Sequence, residues 1–264
     1  IIHFAAYKSV GESVQIPLEY YRNNIDSLIN ILQAMQDHQI QNIVFSSSCS
    51  VYGQPDNLPV DEETPLKKSD SPYGTTKNIS EKIIKDVVKV TPINAINLRY
   101  FNAIGAHNSY LIGEIPKSVP NNLVPYITQT AFGLHEKLIV FGNNYNTHDG
   151  TAIRDYIHVV DLAIAHLTAI DRMVKKKMSK KNETFNLGTG IGYSVFDVIN
   201  AFEKVSGKKL NYTIKKRRKG DIEKIWADTS LSNKVLAWKA KYNLEDMISS
   251  AWKWEQAYRG KKHV

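Results

Sequence analysis

The sequence predicts an α/β chain: a doubly wound parallel sheet accompanied by a smaller α/β part. Three observations predict it. Apolar, β-rich runs alternate with helical patterns, the order expected of βαβ units. With 264 residues, 42% of them hydrophobic, the chain can bury a substantial core as one large domain or two small ones. No internal repeat or low-complexity linker interrupts the alternation.

Taken in order, residues 1–6 read as a buried strand. A parallel strand that starts at residue 1 implies that the first strands of the sheet lie outside this sequence. A helix is predicted from Pro17 to His38, with Ile25, Leu28, Ile29, Leu32 and Met35 on one stripe and Pro17 suited to the first turn. Then come strand Asn42–Ser47, a helix from Tyr73 into Val90, and strand Ile93–Arg99. An irregular region containing Pro116, Pro120 and Pro125 follows. The remaining elements are shorter: helix Asn122–Gly133, strands Lys137–Phe141 and Arg154–His158, helix Val160–Arg172 and strand Thr184–Leu187. Ser194, with Asp197 three residues on, opens a helix as a capping-box pair. Strand Asn211–Lys215 and two Trp-containing segments finish the chain.

Composition narrows the class. No run approaches 18 apolar residues, so no membrane-spanning helix is expected, and the first residues lack the basic flank of a signal peptide. The only cysteine, Cys49, excludes an internal disulfide framework and fits a reducing cytoplasm. The net charge of +8 is concentrated in Lys175–Lys177 with Lys180 and Lys181, and in Lys215–Lys219 with its Arg pair. The first run reads as a solvated loop. No helix-turn-helix, zinc-ligand or RNP-type signature accompanies either, so no nucleic-acid partner is expected. His3, His107, His148, His158 and His166 show no metal-ligand spacing.

Chemistry concentrates in Ser71-Pro-Tyr73-Gly-Thr-Thr-Lys77. Tyr73 and Lys77 stand at i and i+4, on one face of a helix that Pro72 can start. A phenol near pKa 10 is a poor base at neutral pH. A cation about 4 Å away is worth roughly 4 kcal/mol at an effective dielectric near 20, enough to lower that pKa by about three units. The pairing alone is common on surface helices. Three serines, Ser46–Ser48, stand at the carboxyl end of a predicted strand, where ligands bind in open α/β sheets.

The order Ser46-Ser-Ser-x-x-Val-Tyr-Gly, Ser71-Pro-Tyr-Gly-x-x-Lys77 and Leu98-Arg-Tyr-Phe-Asn102 resembles the extended short-chain dehydrogenase/reductase family, and within it the nucleotide-sugar 4-epimerases. His3-Phe-Ala-Ala-Tyr-Lys8 is similar to the fourth strand and following loop of that family. Asn121-Asn122-Leu-Val-Pro-Tyr, Gly142-x5-His148-Asp-Gly-Thr, Arg154-Asp-Tyr-Ile-His-Val-Val-Asp161, Phe185-Asn-Leu-Gly-Thr-Gly190 and Arg217-Arg218-x-Gly-Asp221 continue the series.

The resemblance implies a Rossmann-like remainder over 1–103, with segments near 154–190 returning to it, and a UDP-sugar domain over 104–264. It implies reversible 4-epimerisation of UDP-glucose and UDP-galactose through a 4-keto intermediate, with NAD as cofactor. Tyr73 would be the base, Ser48 would hold the reacting oxygen, and Lys77 would bind ribose and, with the positive nicotinamide, depress the Tyr73 pKa. Lys8, Asn23 and Phe101 match cofactor contacts. Asn102, Asn122, Arg154, Arg218 and Asp221 match substrate contacts, and Ile139, Val140 and Phe141 would face the uracil. Ile225 matches a position that limits the C2 substituent of the sugar. The long helices at 17–38 and 73–90 match a four-helix homodimer interface.

The glycine-rich pyrophosphate loop of the family is absent, on the order of 70–80 residues judged against two preceding βα units, so weak NAD binding and no turnover are expected of these 264 residues by themselves. A 4,6-dehydratase would need Asp-Glu where Cys49 and Ser50 stand. A 4-epimerase of N-acetylated sugars or pentoses stays open, as does an inactive NAD-sensing relative.

Overall fold

Strand order follows the burial of the apolar runs. In a computed structural model the described residues are 1–260 apart from 68, 70, 117, 118 and 219. The early elements are β1 (Ile2–His3), α1 (Val10–Gln15), α2 (Pro17–Tyr21), α3 (Ser27–Asp37), β2 (Asn42–Ser48), α4 (Pro72–Val90), β3 (Asn94–Tyr100) and β4 (Asn102–Ile104). They are followed by α5 (Leu123–Phe132), β5 (Leu138–Phe141), β6 (Ile153–His158), α6 (Val159–Val174), β7 (Asn182–Leu187) and β8 (Gly192–Ser194). Last come α7 (Val195–Ser206), β9 (Tyr212–Lys215), β10 (Lys224–Ile225), α8 (Ser230–Lys234) and α9 (Leu244–Gly260). Lys219, at the end of the second basic run, lies outside the described residues.

The chain divides into two units. The first consists of Ile1–Phe101, Ala163–Leu187 and Ala227–Lys239; the second consists of Asn102–Leu162, Gly188–Trp226 and Ala240–Val264.

The first unit is built on a parallel sheet in the order β1-β2-β3-β7. Leu28, Leu32 and Met35 of α3 and Ile84 and Val88 of α4 pack on Ile43, Phe45, Ile93 and Ala95. That is the 3.6-residue stripe read from the sequence, although Ile29 is 46% exposed. The helix expected over 17–38 is split by a π turn, Arg22–Asp26. Such turns insert one residue and re-aim the side chains around them. Here the turn sends Asn24 inward. Helix α4 starts as its sequence dictates: Pro72 fills the first turn, and the Ser71 hydroxyl accepts from the Gly74 amide at 3.2 Å.

One expectation is corrected. The buried strand predicted over 1–6 shrinks to β1, with Ile2 and Phe4 38% and 55% exposed and only His3 of the strand buried. Among the described residues β1 pairs with β2.

In the second unit β6 is central, parallel to β10 and β4 and antiparallel to β8. β5 and β9 form a separate parallel pair. Val198, Ile199 and Phe202 of α7, Met247, Ile248 and Trp252 of α9, and Val124 and Ile127 of α5 make the core with Leu138, Val140 and Tyr156. Ser194 and Asp197 form the expected capping box of α7. Gly133, at φ 94°, supplies the left-handed residue that closes α5.

His158 closes the end of β6 in a fully satisfied arrangement. Its Nδ1 accepts from the Val160 amide at 3.0 Å, which leaves the proton on Nε2, 3.0 Å from the Ser250 hydroxyl. That hydroxyl donates to the Met247 carbonyl and accepts from the Ala106 amide. The ring stacks on Tyr242 at 4.0 Å. A proton on Nδ1 would face the Val160 N–H. Burial lowers the His158 pKa from its ordinary 6.5, with Asp161 and Asp246 opposing. A histidine depressed in the folded state leaves the unfolded chain binding more protons, so stability is present above pH 6.5 and falls as pH drops below it. We expect urea midpoints to decline from pH 7 to 5, and His158→Gln, whose amide can still donate to Ser250, to flatten that decline. An unchanged pH profile in the variant would show that His158 is not the titrating group.

Candidate active site

Ser48, Tyr73 and Lys77 come from two adjacent elements. Ser48 ends β2, where its hydroxyl accepts from the Ser50 amide at 3.2 Å and from the Ser50 hydroxyl at 3.0 Å. These bonds cap the short 3₁₀ turn Cys49–Tyr52 and fix the Ser48 rotamer. Tyr73, in the first turn of α4, is half-buried with its phenol hydrogen-bonded to Ser48. Lys77 lies one turn further on and is buried; its ammonium donates to the Ser46 carbonyl at 2.7 Å. Its Nζ sits 5.0 Å from the Phe45 ring centre and 5.9 Å from that of Tyr73.

Proximity of Lys77 was expected to depress the Tyr73 phenol, yet the phenol is raised above its ordinary 10. Burial is the main cause, and the Ser48 hydrogen bond opposes it only in part. The cation is turned toward the β2 backbone and is itself pulled down to about 8, chiefly by burial, with Glu81 acting in the opposite sense. The chain's own groups therefore keep Tyr73 protonated at neutral pH.

The other predicted cofactor positions lie in the same unit. Asn23, in the π turn, donates to Asn24 Oδ1 at 3.0 Å. Lys8 sits between two pinned residues. The Tyr7 amide donates to Asn24 Oδ1 at 2.7 Å, and the Ser9 amide donates to the Tyr20 hydroxyl at 3.1 Å. Phe101 is buried, and its amide donates to the Leu187 carbonyl. The donor set fits the nicotinamide end of NAD: a buried ammonium has three N–H donors, only one of them directed at Ser46, and it neighbours a phenol and a serine hydroxyl at strand ends.

The predicted substrate positions belong to the second unit. Asn102 is exposed on β4, opposite Tyr156. Asn122 precedes α5, its amide donating to Glu114 Oε1 at 3.3 Å. Ile139, Val140 and Phe141 run along β5, and the Arg218 guanidinium lies 5.0 Å from the Phe141 ring centre. Arg218 also donates to Asp221 at 2.9 Å and to the Asn121 carbonyl at 3.3 Å. Arg154 donates to the carbonyls of Ile153, Ile222 and Glu223, clasping β6 to the chain entering β10. Ile225 is fully buried in β10.

Sequence reasoning missed a buried polar chain beside α4. Glu81 accepts from Arg99 Nε at 2.9 Å and from its NH2 at 2.6 Å, and also from the Ser47 hydroxyl. Arg99 donates on to the Tyr52 hydroxyl, which donates to Asn186. Glu81 follows Lys77 by four residues, so helical spacing already placed it on the Tyr73 face. Among the described residues, His148, Asp149 and Asp197 bring potential ligand atoms within 4.8 Å. Asp149 is engaged by Thr151 and Ser194 and Asp197 by the Ser194 amide, which makes this trio part of the α7 cap.

A family model described as GDP-mannose 4,6 dehydratase matches residues 1–251. The chain is 49% identical over 256 residues to UDP-glucose 4-epimerase of Drosophila melanogaster, covering 97% of this chain and 73% of that protein. Among solved structures it is similar to UDP-glucose 4-epimerase from Bifidobacterium longum in complex with NAD+ and UDP, at 47% identity and TM-score 0.92. That match covers 98% of this chain and 76% of the other. The epimerase from Stenotrophomonas maltophila, with bound NAD and formylated UDP-arabinopyranose, matches at 46% identity and TM-score 0.94, covering 98% and 76%.

Proposed function

The chain belongs to the UDP-glucose 4-epimerase family, and on that premise we propose how its residues interconvert UDP-glucose and UDP-galactose by epimerisation at C4. The observation that carries the reading is the Ser48–Tyr73–Lys77 group, held at strand ends in a chain 49% identical to such an enzyme over 97% of its length.

Tyr73 takes the proton from the sugar O4 and returns it after the 4-keto sugar has turned over. Ser48, its rotamer fixed by Ser50, donates to the reacting oxygen and keeps it within reach of the phenol. Lys77 holds the ribose of the cofactor with the donors that Ser46 leaves. When bound, NAD would supply the acceptor and donor for the C4 hydride and a positive nicotinamide beside Tyr73. Because burial raises Tyr73, its deprotonation depends on positive charge brought to the pocket as well as on Lys77. Lys8, Asn23 and Phe101 serve as further cofactor contacts. Asn102, Asn122, Arg154, Arg218 and Asp221 hold the UDP-sugar, with Ile139, Val140 and Phe141 along the uracil and Ile225 setting the room at C2. Arg154 and Arg218 suit a diphosphate, since a guanidinium pairs with phosphate bidentately.

Cys49 and Ser50 support epimerisation over 4,6-dehydration, because neither offers the carboxyl group that removal of water needs. The exposed Ile29 of α3 and Val90 at the end of α4 support a homodimer built on these helices. A single cysteine supports a cytoplasmic location. No helix of the described residues is long and apolar enough to cross a membrane.

The direct test supplies the full-length protein with NAD and UDP-galactose and follows UDP-glucose by chromatography. Appearance of UDP-glucose with a 4-keto species trapped by borohydride is expected. Formation of a 4-keto-6-deoxy sugar instead would reassign the chain to dehydration.

A further inference from the structure

Behind the catalytic lysine lies a buried ion pair for which the reaction has no use. Tyr73, Lys77 and Glu81 follow one another at four-residue intervals along a single face of α4. The Glu81 and Arg99 side chains are 9% and 7% exposed, and they pair bidentately at 2.6 and 2.9 Å. Two adjacent residues of β2 are fastened to this helix face. The Ser46 carbonyl accepts from Lys77, and the Ser47 hydroxyl donates to Glu81; the next residue is Ser48. Arg99 is anchored in turn by the Tyr52 hydroxyl at 3.0 Å and by the Glu62 carbonyl at 3.2 Å. A buried pair of this kind contributes little net stability against well-packed apolar residues, yet leaving one partner alone is strongly unfavourable. Its retention beside Lys77 calls for a positional reason.

We propose that the Glu81–Arg99 pair is a positioning and charge-setting device for Lys77, which fixes α4 against the end of β2 and balances one negative against one positive charge behind the ammonium. This rests on the reading of Lys77 as the partner of Tyr73. The groups facing Lys77 are His3 on β1, Tyr73 and Glu81 on its own helix, and the Phe45 ring on β2, with Arg99 on β3 one step behind Glu81. Of these, Glu81 is the nearby anion that favours the charged lysine, while His3 is held neutral by burial and by Lys77 itself. With the carboxylate removed, Arg99 faces the ammonium uncompensated; with the guanidinium removed, the carboxylate acts on it alone.

The two single changes therefore have opposite signs. In protein labelled with 13C-lysine, the Cε resonance of Lys77 reports its titration midpoint directly. Glu81→Gln should move that midpoint down, and Arg99→Gln should move it up, each on the order of one pH unit. Both should lower the melting temperature, because each strands a buried group. A purely structural pair would lower the melting temperature without opposed shifts, and midpoints moving together or not at all would overturn the proposal. If Arg99→Gln does not fold, the Glu81→Gln/Arg99→Gln double variant takes its place: its midpoint must lie above that of Glu81→Gln alone, and any other order counts against the proposal. The catalytic reading is checked separately. If Lys77→Met left turnover intact, that reading would fail whatever the resonances show.

Discussion

Replacing Tyr73 by phenylalanine is expected to lower kcat for UDP-galactose by at least about three orders of magnitude, with KM changed only a few-fold. Acid–base catalysis by a positioned side chain contributes roughly 10²–10⁴-fold, and in the proposed mechanism one phenol serves both proton transfers. The ring stays, so packing in the first turn of α4 is preserved. What goes is the hydroxyl hydrogen-bonded to Ser48. Stability at neutral pH should stay level or fall by about 1 kcal/mol, since the phenol is neutral there and only its hydrogen bond to Ser48 is lost. The measurement is steady-state conversion in the full-length protein, with the NAD content of each preparation determined. A variant keeping more than a tenth of wild-type kcat would remove Tyr73 from the chemistry, whereas loss of activity together with loss of NAD would mean that the substitution acted on binding.

Lys77→Met should make the fold more stable at neutral pH while abolishing turnover. Burial holds the Lys77 pKa at about 8, below its ordinary 10.5. Between those values the unfolded chain binds a proton that the folded chain does not, so stability rises with pH across that window, and below pH 8 the penalty is present in full. At 1.36 kcal/mol per unit the penalty is about 3 kcal/mol, reduced by the lost bond to the Ser46 carbonyl, which is worth about 1 kcal/mol. Methionine fills a similar volume and adapts to its surroundings. Urea unfolding at pH 7 should therefore show the variant ahead by about 2 kcal/mol, with the two proteins converging by pH 10.5. A variant less stable than wild type at pH 7 would mean that the buried ammonium is better solvated by its neighbours than its environment implies. Stability given up at the place where chemistry happens is the usual trade at active sites.

The part of the fold legible in the sequence was the part with long periodic runs. β2, β3 and α4 begin and end within a residue or two of their predicted bounds, because Pro72, Ser71 and the apolar stripe leave little choice. The i, i+4 spacing put Tyr73 and Lys77 together. The short strands β4, β8 and β10 carried no signal of their own, since two or three residues become a strand only when β6 is there to pair with them. Nor could local pattern announce the π turn or the return of Ala227–Lys239 to the first unit. The rise of the Tyr73 phenol among the chain's own groups was not legible for a related reason. Spacing gives the distance between two groups on a helix, but the desolvation that outweighs the nearby charge is set by β2, β3 and the residues around them, and by the turn of Lys77 toward the Ser46 carbonyl.

The pairing of β3 with β7 also governs how the molecule comes into being on the ribosome. Asn97 bonds to Asn182, 85 residues away. A nascent chain that has just completed β3 therefore shows one flank of that strand bare. It stays bare while all of β4, α5, β5, β6 and α6 are being synthesised. At about 5–20 residues per second, that is a wait of several seconds for an apolar, hydrogen-bond-hungry edge. Early folding of the second unit cannot shorten it, because β7 is encoded after β4, α5, β5 and β6 of that unit. The first domain to begin is thus held open by the second, and its vulnerability to misassembly is written into the order of the gene.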